Sequence, residues 1–70
     1  MRISARNQFK GTVKKLTPGA VNGEVVIQIA PGIEVIAQIT SESIRNLGLK
    51  EGATAWAVIK ADNVMVGVEH

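Results

Sequence analysis

Seventy residues make a single domain, read here as one unit from residue 1 to 70, and a chain this short buries too little surface to rest on its own core alone. With no cysteine and a single histidine, His70, expected to fray as the last residue, disulfides, thiolate metal sites and an imidazole zinc site within one chain are excluded. At 46% hydrophobic and 20% charged the composition is globular, and a formal charge of +2 favours anions without naming one.

The opening residues, Met1 to Gln8, contain no apolar run of the export type, and polar residues interrupt every later apolar stretch. Neither a signal peptide nor a membrane span is expected, which points to the cytoplasm. Gln8 to Leu16 sets Phe9, Val13 and Leu16 among polar and basic residues, as suits a first strand with one wet face. Thr17-Pro18-Gly19 ends it with turn chemistry. Glu24 to Ala30 is rich in β-branched residues, the mark of a mostly buried second strand. Pro31-Gly32 fits the centre of a type II turn, and Ile33 to Ile39 follows with Ile33, Val35, Ala37 and Ile39 on one face. These two segments read as a hairpin.

The pattern changes at Thr40. Ser41 suits an N-cap, Glu42 the positive end of a short helix, and Ile44 and Leu47 lie one turn apart. Gly48 fits the left-handed residue that closes such a helix. After the turn Lys50-Glu51-Gly52, Thr54 to Lys60 alternates as a fourth strand, and Val64 to Val68 reads as a short fifth. Three strands, a helix and two strands predict an all-β fold, a five-stranded Greek-key barrel of the OB type with its helix between strands 3 and 4. Small size and poorly guarded strand edges predict an obligate homo-oligomer.

Catalysis lacks its usual parts: there is no Cys or Tyr, the lone His is terminal, and the six carboxylates are scattered. The chain therefore reads as a binding protein and not an enzyme. Single-stranded nucleic acid is the competing ligand, because OB barrels often take it. Such binders stack bases on aromatic rings, and this chain offers Phe9 and Trp56 only. A charge of +2 neutralises few phosphates, and the cluster Lys10, Lys14, Lys15 reads more simply as a solvated strand face.

What remains is a set of small, hydroxyl and cationic residues where elements begin and end. Ser4 and Arg6 precede the first strand, Thr40 and Ser43 straddle the helix start, and Lys60 ends the fourth strand. The loop Gly19-Ala20-Val21-Asn22 has small side chains that let backbone amides approach a ligand. Convergent donors with limited positive charge are what a tetrahedral dianion requires. Taken singly, each of these residues has a structural explanation as well: a free N-terminus, a helix cap, a surface lysine.

The order Ser4-Ala5-Arg6-Asn7-Gln8, Gly19-Ala20-Val21-Asn22, Leu47-Gly48-Leu49-Lys50-Glu51-Gly52 and Lys60-Ala61-Asp62-Asn63-Val64-Met65-Val66 resembles the molbindin family over nearly the whole chain. The module is also similar to the molybdate-binding domains of molybdate-responsive regulators and of transporter ATPase subunits. With no DNA-reading or ATP-binding part, the expectation is a free-standing storage or homeostasis protein. The resemblance implies that molybdate or tungstate is bound as an oxyanion at a subunit interface, with no metal ligated directly by side chains. Ser4, Ala5, Arg6, Thr40, Ser43, Lys60, Ala61 and the amides of Gly19, Ala20 and Val21 would hold it. It implies a hexamer, a trimer of dimers, with further anion sites near the symmetry axes, while the residues themselves speak against a nucleic-acid or membrane partner. Asp62 departs from the family, which commonly has a small hydroxyl residue there; repulsion of a dianion predicts that its side chain turns away. Molybdopterin, named in older accounts of the family, would need an apolar aromatic slot that this sequence does not suggest.

Overall fold

In the computed structural model, which describes residues 1–69, four strands form one antiparallel sheet in the order β3-β2-β1-β4. They are β1 (Asn7–Thr17), β2 (Asn22–Ala30), β3 (Ile33–Thr40) and β4 (Thr54–Ile59). The helix α1 (Ser41–Asn46) lies between β3 and β4, and a 3-10 turn, Ala61–Asn63, follows β4. The expectation for His70 lies outside the described residues.

β1 is long because it serves two partners. Its first half, Asn7 to Thr12, pairs with β4, and its second half, Thr12 to Thr17, pairs with β2. A register shift between Val13 and Lys15 bends the strand where the partners change, as bulges do. The sheet therefore curls and encloses a core of Val13, Val25, Ile27, Ile44 and Ala57, flanked by half-buried Leu16, Ile29, Val35, Ala37, Ile39, Leu49 and Ala55.

Local chemistry explains the connections. Gly32 has φ +74° in the β2–β3 turn, as the Pro31-Gly32 pair predicts. At the end of α1 Gly48 has φ +65°, with its N–H donating to Arg45 O (3.0 Å) and that of Leu49 to Ile44 O (3.2 Å). This is the Schellman arrangement, and Leu49 and Ile44 meet in the core beside it. The N-cap is Thr40 and not Ser41: the Thr40 hydroxyl accepts from the Ser43 N–H, one residue before the expected cap. Ser41 is then free to point inward, where it is buried.

The expected five-stranded barrel has four strands here. Val64 to Val68 forms no strand, and Met65 and Val66 are 94% and 91% exposed. Val64 has extended backbone angles, φ −91° and ψ 124°, but its N–H donates back to Ala61 O (3.3 Å), and among the described residues no strand pairs with the segment. The curled sheet is left open between its edges, β3 and β4. There a groove of about 760 Å³ runs over Val35, Ala37, Ile39, Ala55, Ala57 and Ile59. Among the described residues, no helix is long and apolar enough to cross a membrane.

Candidate functional site

The β1–β4 register carries the segment before β1 alongside the segment after β4. Asn7 pairs with Ile59, and its side-chain amide donates to Ile59 O at 3.2 Å. In an antiparallel pair, residues 4–6 must then run beside residues 60–62. A second anchor fixes the approach: Gln8 Nε2 donates to Ala5 O at 2.7 Å, and the Ala5 side chain is buried. Ser4, Ala5, Arg6, Lys60, Ala61 and Asp62 line the resulting cleft of about 310 Å³. Five of the residues named from the sequence are thus brought together from opposite ends of the chain.

Chemically the cleft offers one guanidinium, one ammonium and one hydroxyl. Side-chain hydrogen bonds among the described residues are donated by Asn7, Gln8, Thr40 and Ser41, and none engages Arg6, Lys60 or Asp62. Both cations are therefore available to an incoming anion, where charge-assisted bonds are the strong kind. Lys60 also leads the 3-10 turn, closed by Asn63 N–H donating to Lys60 O at 2.9 Å, and adds no side-chain cap to it. Asp62 also lines the cleft, because the tight turn at residues 61–63 keeps its backbone beside Lys60 and Ala61.

The other five named residues form a separate group at the far end of β3. Thr40 Oγ1 accepts from Ser43 N–H (3.0 Å) and donates to Ser43 Oγ (2.8 Å), so the two hydroxyls already serve the helix cap. Ser43 keeps its own hydroxyl proton for another acceptor. Gly19, Ala20 and Val21 are tied to this cap by Ser41, whose Oγ donates to Gly19 O (2.7 Å) and whose N–H donates to Val21 O (2.8 Å). A side chain at Gly19 would meet Asn22 O at 2.2 Å, so the loop closes this tightly only with glycine there.

Ser41 is the residue that the sequence reading missed. Its only signal was a serine next to a strand–helix junction, and that signal serves capping and anchoring equally. Within one chain the cleft group and the cap group do not share a pocket.

A family model described as TOBE domain matches residues 3–66. Molybdenum-pterin-binding protein 3 from Clostridium pasteurianum is 50% identical over 66 residues, 94% of this chain and 97% of that protein. The structure of apo MopII from the same organism matches with a TM-score of 0.90 at 46% identity, covering 96% of this chain and all of that one. The cytoplasmic molybdate-binding protein ModG, solved with molybdate bound, matches with a TM-score of 0.92 at 51% identity. That match covers 99% of this chain and 49% of ModG.

Proposed function

The chain belongs to the TOBE domain family, and on that premise we propose that it binds molybdate or tungstate, without catalysis, for storage or homeostasis in the cytoplasm. One observation carries the reading: Arg6, Lys60 and Ser4 line one cleft, and their side chains have no hydrogen-bond partner among the described residues. A tetrahedral dianion suits such a site because the two cations offer charge-assisted bonds and the hydroxyl and amide protons can satisfy its remaining oxygens.

The cap group completes the site across a subunit interface: Thr40, Ser43 and the Gly19-Ala20-Val21 loop of one copy face the cleft of another. A homohexamer, a trimer of dimers, provides that arrangement. Support comes from the open groove between β3 and β4 and from the exposed apolar segment Val64 to Val68, each of which leaves apolar surface in water in a single chain. The pterin in the relatives' names finds no slot in the cleft, which no aromatic residue lines.

Calorimetry against molybdate, tungstate, sulfate and phosphate, with light-scattering mass on the same sample, tests the proposal. Molybdate and tungstate are expected to bind more tightly than sulfate, whose shorter bonds fit donors fixed by backbone less well. Equal affinity for all four would reduce the cleft to a generic anion patch. Single-stranded DNA in the same series is expected not to bind at physiological salt, because two aromatic residues and a net charge of +2 supply little stacking and little phosphate neutralisation.

A further inference from the structure

Asp62 sits in the cleft wall beside the two cations that an oxyanion would use. The charged residues that line this space are Arg6 from the segment entering β1, and Lys60 and Asp62 from the segment leaving β4. Two cations and one carboxylate leave the cleft with one net positive charge, against the two negative charges of a molybdate-type ion. The aspartate side chain is short, so in every rotamer its charge stays within a few ångströms of its own backbone. That is well inside the screening length of about 8 Å at physiological ionic strength.

We propose that Asp62 is a specificity-determining residue that selects against anion charge: it loosens the cleft's hold on dianions, so that bound oxyanion exchanges readily. The inference rests on the oxyanion reading of the cleft made above. Its physics is a repulsion proportional to ligand charge. A dianion near the carboxylate feels twice the repulsion felt by a monoanion of the same shape. Removing the carboxylate should therefore tighten a dianion by the square of the factor by which it tightens a monoanion. A steric or packing effect has no reason to follow that ratio, because size and shape are matched.

The probes are molybdate and perrhenate, both tetrahedral oxyanions, with two charges and one. Calorimetry on the full-length assembled protein compares the parent chain with Asp62→Asn, Asp62→Glu and Arg6→Ala. For a pair in a wet cleft, Asp62→Asn is expected to tighten molybdate about tenfold and perrhenate about threefold. Asp62→Glu keeps the charge and should remain within about twofold of the parent for both ions. Arg6→Ala should weaken both. If Asp62→Asn leaves molybdate unchanged while Arg6→Ala weakens it, the inference is overturned and the oxyanion reading stands. Equal gains for the two ions, or a loss of molybdate affinity, would also overturn it, since either means that the carboxylate acts through packing or as a ligand partner. If the parent chain binds no molybdate, or Arg6→Ala changes nothing, the reading of the cleft itself fails and the inference falls with it.

Discussion

Arg6 and Lys60 are left open to the proposed oxyanion by what they do not do. Neither has a side-chain partner among the described residues, so substituting either removes no internal contact of that kind. Arg6→Ala and Lys60→Ala should each weaken oxyanion binding by about 1.5–3 kcal/mol, the worth of a hydrogen bond to a charged group. Their melting temperatures should move little. Thr40 behaves differently, because its hydroxyl caps α1. Thr40→Val should lower stability by about 1 kcal/mol, as cap removal does. It should weaken binding by only about 0.5–1.5 kcal/mol, the worth of a neutral hydrogen bond. Calorimetry paired with thermal unfolding separates the two patterns, and a Thr40 effect larger than the Arg6 effect on binding would reverse the assignment. The residues of the cleft were legible as chemistry, since hydroxyl and cationic side chains at element ends stand out in the sequence. That Ser4, Arg6 and Lys60 meet was not, because it depends on the Asn7–Ile59 register. That Asp62 lines the same cleft has a related cause, the turn at residues 61–63, which no charge argument from the sequence could locate.

At the scale of elements, the parts whose signals are local were readable. The Pro31-Gly32 hairpin and the Gly48 helix end depend on φ values that only a few residue types accept, and both glycines adopt them. Gly48→Ala should therefore destabilise the chain by about 1–2 kcal/mol, the cost of forcing an L-residue into the left-handed region. Urea unfolding monitored by circular dichroism measures it. A change below about 0.5 kcal/mol, the range of an ordinary surface substitution, would show that the helix end relaxes to another geometry. The fifth strand was not readable in the same way. Apolar residues in Val64 to Val68 suggest a strand, but no pattern within a segment supplies the partner that a strand needs, and the sheet here ends at four. The helix cap slipped by one residue because Thr40 and Ser41 both suit the position, and the choice followed from burial of Ser41 against Gly19.

Several apolar parts of the molecule face solvent, among them the edge groove, Ile36, Leu47 and the Met65–Val68 region, and the proposed assembly would cover them. A chain ending at Asn63 keeps every cleft residue and every strand of its own sheet. It should retain its β-sheet circular dichroism but sediment well below the hexamer mass expected of the full chain. A truncated chain that still forms the full-size assembly would remove residues 64–70 from the interface. If the full chain sediments as a folded monomer at micromolar concentration, the shared-site proposal is withdrawn with the hexamer.

The division of β1 between two partners also sets an order in time. β1, β2 and β3 follow one another through short turns, whereas the pairing of Asn7–Thr12 with Thr54–Ile59 joins the two ends of the chain. Closing that distance carries the larger loop entropy, so the pairing that builds the cleft should zip last and open first. Amide hydrogen exchange should then be fastest, among the paired strands, in residues 7–12 and 54–59, and slowest in the β2–β3 hairpin. An anion that bridges residues 4–6 to residues 60–61 would fasten this seam from its open end. Molybdate is accordingly expected to slow exchange along residues 7–12 and 54–59 while leaving residues 25–37 unchanged; uniform protection across all four strands would mean that the sheet opens only as a whole.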